Sequence, residues 1–345
     1  MEKTIDREAV EHILRLYGFD TGYTAQKIYL QNTGDNGYLK LIFCVALESG
    51  RMLVIKILHK DDDLLQERQK TEKQSAFFEM MRSHGIRTPV RYQANGKYCI
   101  GYVYHGSPCN VTVEDWCGEE ITAITTDLAR QIGELMARMH TISLENKCEI
   151  GHRTLFSAAY WNDVDSFPEF CEITRDEKLD QAVVAQIKAL RDEKLARIRA
   201  VWETLPKAAV QGDISINNLV QSDNGLIVFD YNNAGDEVLI SDLVMEGLLT
   251  AYEMELQDGA PASDRQRIFP AFLRGYLSVR TLCDAERAAA WEVYTLYHGL
   301  WFTRIVSNDD SLEQLVKKGD YACANGLLAK MLADMTEQDD GRFMK

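Results

Sequence analysis

Several features that commonly betray a protein's function are missing from this sequence. The eight cysteines (Cys44, Cys99, Cys109, Cys117, Cys148, Cys171, Cys283 and Cys323) form no C-x-x-C pair, and no histidine stands at zinc-site spacing from them. They read as reduced core thiols rather than as a metal centre or a disulfide framework. The start, Met1-Glu2-Lys3-Thr4-Ile5-Asp6, lacks the apolar stretch of a signal peptide, and nowhere do about 18 apolar residues run together as a membrane span requires. The expected location is therefore cytoplasmic, with no membrane partner. Basic charge is scarce: 38 Lys and Arg face 53 Asp and Glu, for a formal charge of −15. A nucleic-acid partner, which needs a basic face to meet phosphates, is not expected. Internal repeats and low-complexity tracts are also absent.

What is present suits two globular lobes: 345 residues, 46% hydrophobic and 26% charged. Val10, Ile13, Leu14 and Tyr17 fall at helical spacing before Gly18 and predict a short amphipathic helix. From Lys27 the period changes. Ile28 to Leu30, Leu39 to Leu47 and Met52 to Leu58, joined by turn-forming segments, predict three consecutive antiparallel strands. A helix from about Leu64 to Arg82 follows, and then two strands, Val90 to Gln93 and Tyr98 to Tyr104, around an Asn95-Gly96 turn. Past Gly106-Ser107-Pro108 the pattern becomes mostly helical, which places a lobe boundary between residues 105 and 106. Leu128, Ile132, Leu135, Met136 and Met139 mark one face of a long helix.

The most informative stretch is Gln211-Gly212-Asp213-Ile214-Ser215-Ile216-Asn217-Asn218-Leu219-Val220, then a turn at Ser222 to Gly225 and the strand Leu226-Ile227-Val228-Phe229-Asp230. A short polar loop between apolar runs here carries two carboxylates and an amide at fixed offsets. Phosphoryl transfer asks for such a set: one carboxylate to orient or deprotonate the attacking hydroxyl, and an Asn with a second carboxylate as oxygen donors to Mg²⁺. Asp213, Asn218 and Asp230 fill those roles in that order. The five-residue offset from Asp213 to Asn218 equals that of the H-R-D-x-x-x-x-N loop, and Asp230 falls one β-hairpin later, at the place of a D-F-G aspartate.

This segment resembles the H-G-D-x-x-x-x-N loop and following I-D-(W/F) strand of the aminoglycoside phosphotransferase, choline kinase and homoserine kinase-like superfamily. The resemblance continues through Ile132-Gly133-Glu134-Leu135-Met136-Ala137-Arg138-Met139-His140, similar to a G-x-x-L-A-x-L-H helix, and through Ala234-Gly235-Asp236 and Ser241-Asp242-Leu243. It implies an α+β, protein-kinase-like two-lobed fold. Residues 1–105 would form a nucleotide-binding lobe of antiparallel sheet and helix, and residues 106–345 a mostly helical lobe with the catalytic hairpin and acceptor pocket. It also implies an ATP- and Mg²⁺-dependent transfer of the γ-phosphate to a hydroxyl of an aminoglycoside-, homoserine- or choline-like molecule, by a monomer or homodimer. Gln211 stands where the family has His. That His is mainly a scaffold, a role open to a hydrogen-bonding Gln, although a nucleotide-binding pseudokinase or scaffold protein is the alternative this departure raises.

The remaining site residues rest on strand position and on the resemblance. Lys56 closes the run Leu53-Val54-Ile55 as the third-strand lysine does in V-A-I-K, and apolar flanks at Ile55 and Ile57 point it to the opposite face. The resemblance implies a carboxylate partner on the next helix, assigned to Glu72 with Glu79 and Glu67 as alternatives. Asn36 and Gly37, in the loop after the first strand, are positioned to lay backbone N–H groups over the phosphates. The chain from Tyr102 through Tyr104 to Gly106 is the expected hinge, its backbone pairing with adenine. His105 reads as a surface residue, and His140 as a satisfied core histidine. Trp291, Tyr294, Tyr297 and Trp301 recur at helical spacing, either as an aromatic wall for a cation or as a core stripe.

Overall fold

The computed structural model describes residues 6–20, 22–33, 39–59, 63–154, 156–157, 166–214 and 216–344. Along the chain run helix α1 (Arg7–Leu16), strands β1 (Tyr23–Thr33), β2 (Leu39–Leu47) and β3 (Met52–His59), helix α2 (Leu64–Ser83), strands β4 (Ile100–Tyr104) and β5 (Ser107–Asp115), and helices α3 (Thr126–Glu145), α4 (Phe167–Ile173) and α5 (Gln181–Val201). Next come β6 (Lys207–Val210), β7 (Leu219–Ser222), β8 (Gly225–Val228), β9 (Gly235–Val238) and helices α6 (Leu239–Tyr252), α7 (Arg265–Val279) and α8 (Asp284–Gly299). Helices α9 (Phe302–Ile305), α10 (Leu312–Lys317) and α11 (Tyr321–Met335) close it. The chain divides into two compact units, Met1–Glu120 with Asn218–Asn232, and Ile121–Asn217 with Asn233–Lys345.

In the first unit the strands form one antiparallel sheet in the order β1-β2-β3-β5-β4. Side-chain alternation gives the sheet two different faces. Leu41, Phe43 and Val45 of β2, Leu53, Ile55 and Ile57 of β3, and Cys109, Val111 and Val113 of β5 form one buried apolar face. Helix α1, capped where the Asp6 carboxylate accepts the Glu8 N–H at 2.9 Å, lays Val10, Ile13 and Leu14 on it. Full burial of each such side chain contributes roughly 1.5–3 kcal/mol. Lys56, Asn110, Thr112 and Glu114 project from the other face, and there α2 supplies the cover. Asn110 bonds Glu67, the Leu64 carbonyl and Arg68, and Ser75 accepts from Arg91. Hairpin β7–β8 also belongs to this unit.

The sequence places the lobe boundary at 105/106, whereas Ser107–Asp115 is a strand inserted between β3 and β4, and the first unit continues to Glu120. His105 and Gly106 both have positive φ (48° and 82°), and Tyr104 pairs with Ser107. Such geometry closes a two-residue hairpin and does not begin a new lobe.

The second unit is mostly helical, with the short antiparallel pair β6–β9 packed through Ala208 and Val210 against Leu239 and Leu144. Helices α3 and α7 meet at their glycines: a methyl group on Gly275 would run into the Arg130 carbonyl, and one on Gly133 into that of Phe272. Only a missing Cβ lets the two backbones come so close. His140 of α3 lies between the Tyr276 hydroxyl (2.7 Å) and Asp242 (2.9 Å), the satisfied core histidine its apolar helix face predicts.

Candidate active site

Lys56 sits in mid-strand on β3, and the pleat carries it away from the α1 core. Its side chain is nonetheless buried, at 4% exposure, because α2 covers that face of the sheet. Burial of an ammonium is sustained only beside opposite charge. The Nζ lies 3.0 Å from Glu114 Oε1 and 3.5 Å from Asp230 Oδ1. Burial alone would push the lysine pKa down, but attraction from Asp230 and then Glu114 outweighs it and raises the pKa, so the side chain is charged. Among the described residues Nζ has these ion pairs but no aligned hydrogen bond. Glu114 is equally buried and holds Arg91 through its second oxygen, Oε2, at 2.6 Å (Nη2) and 3.0 Å (Nε). Burial acts to raise its pKa, but Lys56 and Arg91 together bring it down to about 2.

Asp230 enters this cluster from the segment after β8. Its φ is +54°, the left-handed region that a non-glycine residue occupies at a cost of about 1–3 kcal/mol unless its surroundings hold it there. Three contacts on either side do so. The Phe229 N–H donates to the Asn218 carbonyl at 3.0 Å, Tyr231 is fully buried with its ring edge-on to Phe77 and Phe78 of α2, and the Asn232 carbonyl accepts from Gln74 at 2.7 Å. Asp230 keeps a quarter of its side chain exposed, unlike the buried Lys56 and Glu114. Asn218 and Asp230 are thus tied together by the β7–β8 hairpin, two oxygen-bearing side chains suited to a hard cation.

In the second unit, pairing of Val210 with Gly235 sets the loop after β6 beside the segment before β9. Gln211 Oε1 accepts the Asp213 N–H at 2.8 Å, which is the scaffolding role expected of it. Gly212 turns the chain with a φ of 73°, where a Cβ would press on the Asn233 carbonyl and Thr154. The Asp213 carboxylate accepts from Asn233 Nδ2 at 3.0 Å, and Glu246, fully buried on α6, accepts the next N–H, that of Ile214, at 2.8 Å. Burial first, then Asp242 and Asp213, raises the Glu246 pKa well above the usual carboxylate range. The aspartate is thus held on both sides, by its own backbone and by its carboxylate.

The phosphotransferase enzyme family profile matches residues 45–291, a span holding every one of these groups. The chain belongs to the phosphotransferase enzyme family. By that membership it is an enzyme of phosphoryl transfer to small molecules. Solved structures share its fold over nearly the whole length. An amicoumacin kinase in complex with AMP-PNP, Ca²⁺ and Ami is 15% identical at a TM-score of 0.61, covering 96% of this chain and 94% of that one. A microcompartment-associated aminopropanol kinase is 17% identical at 0.60, covering 96% and 99%. An aminoglycoside phosphotransferase from Alicyclobacillus acidocaldarius is 12% identical at 0.53, covering 97% and 98%. No curated protein sequence matches the chain significantly. Among the described residues, no helix of this phosphotransferase is long and apolar enough to cross a membrane.

Several sequence assignments need correction within the phosphotransferase. The Glu72 carboxylate accepts the Cys99 N–H at 2.6 Å, and the carboxylate beside Lys56 is Glu114. The alternatives Glu67 and Glu79 are engaged with Asn110 and Arg82 respectively. Tyr102 and Tyr104 lie in β4 and pack with the α1 core, on the face of the sheet opposite Lys56, and the segment expected as a hinge is the β4–β5 hairpin. Asn36 and Gly37 lie outside the described residues. Of the aromatic series, Tyr294 and Trp301 are buried, and Trp301 donates to Glu253, as a core stripe does. Sequence reasoning passed over Glu114, Arg91 and Asn233. A signal existed for the first: in Cys109-Asn110-Val111-Thr112-Val113-Glu114, apolar and polar residues alternate, the pattern of a strand with one polar buried face.

Proposed function

We propose that this enzyme transfers the γ-phosphate of ATP, with Mg²⁺, to a hydroxyl of a small molecule. The observation that carries the reading is Lys56: a buried, charged ammonium with hydrogen-bonding capacity still unused, next to a part-exposed Asp230 held in a strained conformation. Sites of this kind are kept for a ligand rather than for stability. Lys56 would donate to oxygens of the α- and β-phosphates. Asn218 and Asp230 offer the oxygen donors that Mg²⁺ prefers, and one or two protein ligands completed by phosphate oxygens are its usual complement in such enzymes. When bound, the cation neutralises charge that builds up on the phosphates.

Asp213 then orients the acceptor hydroxyl. The hydroxyl oxygen forms its bond to the γ-phosphorus as the bond to the β-phosphate bridging oxygen breaks, and the hydroxyl proton passes to Asp213; ADP and the phosphate ester are the products. Asn233 holds the carboxylate and the Gln211 amide holds the backbone that carries it, so little reorganisation is needed during transfer. The acceptor proposed is a hydroxylated amine in the range of amino alcohols, aminoglycosides and homoserine- or choline-like compounds; for the amino alcohols and aminoglycosides the choice is supported by the acceptors named for structural neighbours. All eight cysteines are free thiols, which fits a reducing, cytoplasmic setting.

ADP release measured across such an acceptor panel tests the reading, with wild type and Asp213→Ala side by side. Turnover of at least one acceptor is expected, reduced by roughly 10²–10⁴ in the variant. Mg²⁺·ATP binding with no difference between the two proteins on any acceptor would favour a nucleotide-binding protein without transfer activity.

A further inference from the structure

We infer that Glu114 of β5, clamped by Arg91, is the residue that positions Lys56 for the nucleotide, and that no carboxylate of α2 shares this task. The inference rests on the ATP-dependent reading above and deepens it. Its first ground is the division of the Glu114 carboxylate: one oxygen meets Lys56 at 3.0 Å, while the other takes two guanidinium donors of Arg91, at 2.6 Å and 3.0 Å. Arg91 is itself fixed by donating a third N–H to Ser75 at 2.9 Å. A carboxylate held this way cannot rotate to follow another partner. The second ground is that each candidate on α2 is committed elsewhere: Glu67 to Asn110, Glu72 to the Cys99 N–H and Glu79 to Arg82. The buried face of that helix carries Thr71, Gln74 and Ser75 instead, none of which is ionisable.

The third ground is register. Glu114 pairs with Val54 and Thr112 with Lys56, so lysine and glutamate are diagonal neighbours on one face of two hydrogen-bonded strands. Diagonal side chains in a sheet come within reach of each other when they are long. The aim of Lys56 is therefore set by a carboxylate of the sheet itself, and α2 contributes to it only through the Ser75 hydroxyl that fixes Arg91. Charge balance agrees: two buried cations, Lys56 and Arg91, stand against Glu114 and the part-exposed Asp230. Removing Glu114 leaves Lys56 with Asp230 alone, and pulls the ammonium toward a group the metal site also needs.

Isothermal titration of a non-hydrolysable ATP analogue with Mg²⁺, followed by steady-state kinetics, tests this. Glu114→Gln is expected to weaken analogue binding and raise KM for ATP at least tenfold while leaving KM for the acceptor within twofold, a split that general loosening of the fold does not produce. Glu72→Gln is expected to stay within twofold of wild type in both. Should Glu114→Gln fail to fold by circular dichroism, the double variant Glu114→Gln/Arg91→Met removes one charge of each sign and must still show the tenfold loss. Wild-type-like binding by Glu114→Gln or the double variant, or a tenfold loss in Glu72→Gln, overturns the inference alone. Failure of the wild type to bind the analogue overturns the ATP-dependent reading and takes the inference with it.

Discussion

Glu237 allows the most quantitative prediction, because its chemistry is worked out by its neighbours. The side chain is 2% exposed, and burial, with a lesser push from Asp242, raises its pKa from near 4.5 to about 8. Hydrogen bonds from its neighbours act the other way, and burial outweighs them. The Thr154 hydroxyl is 2.8 Å from the Phe156 carbonyl and 3.1 Å from Glu237 Oε2, its one proton shared between the two acceptors. The Val238 N–H donates to Oε1 at 2.6 Å. An acid whose pKa is raised by folding contributes stability that is complete below its unfolded pKa and is lost as pH rises toward the folded one. Between about pH 5 and about pH 8 the loss is roughly 3 kcal/mol, at 1.36 kcal/mol per pH unit. For a unit of this size that corresponds to roughly 6–12 °C in Tm. Glu237→Gln supplies a neutral amide whose carbonyl accepts from Val238 and whose NH₂ donates to Thr154, so it keeps both bonds without the proton. Thermal unfolding of both proteins across this range is the assay. The variant should match wild type near pH 5 and exceed it by several degrees near pH 8. Parallel Tm curves would refute the reasoning, by showing that Glu237 ionises in the folded protein without penalty.

Other outcomes follow from single contacts. Gln211→Ala deprives the Asp213 N–H of its acceptor, a change worth about 1–3 kcal/mol if the group stays dry; kcat should fall at least tenfold with KM for ATP unchanged, and a kcat within twofold of wild type would remove Gln211 from the scaffold. Gly275→Ala thrusts a methyl into the Arg130 carbonyl and should destabilise the protein by roughly 3 kcal/mol, read as a drop in Tm; an unchanged Tm would mean that α3 and α7 separate easily. Glu114, with its pKa lowered to about 2, contributes stability that is present above its unfolded pKa near 4.5 and disappears as pH falls through about 2. Acid unfolding should thus be shifted to higher pH in Glu114→Gln, and an identical acid midpoint would show that the ion cluster adds nothing to folding.

How much of this was legible beforehand depended on how locally each feature is encoded. The loop from Gln211 to Asn218 and the hairpin to Asp230 are contiguous, and their oxygen-bearing residues sit at offsets set by one turn and one hairpin, so spacing alone was enough to nominate them as a set. The same holds for α1, α2 and α3, whose apolar periods and caps lie within single segments. Lys56 was legible as an inward-facing charge for a similar reason, since Ile55 and Ile57 fix the parity of the strand. Its partner was not, because which carboxylate reaches a buried ammonium is decided by sheet order and register. The polar alternation from Asn110 to Glu114 shows that one face of β5 is to be buried with its charges, but only the placement of β5 between β3 and β4 says against what. A sequence reader who takes His105-Gly106 as a lobe boundary loses that strand, and with it Glu114, so the search for a counter-ion falls on the nearest acidic helix. The two errors have one origin: a turn whose positive φ values bend the chain back into the sheet was read as an exit from it. The composition of the buried face would have corrected both, since α2 turns Thr71, Gln74 and Ser75 inward and keeps its glutamates for other tasks, and a buried lysine must find its negative charge from whatever strand remains.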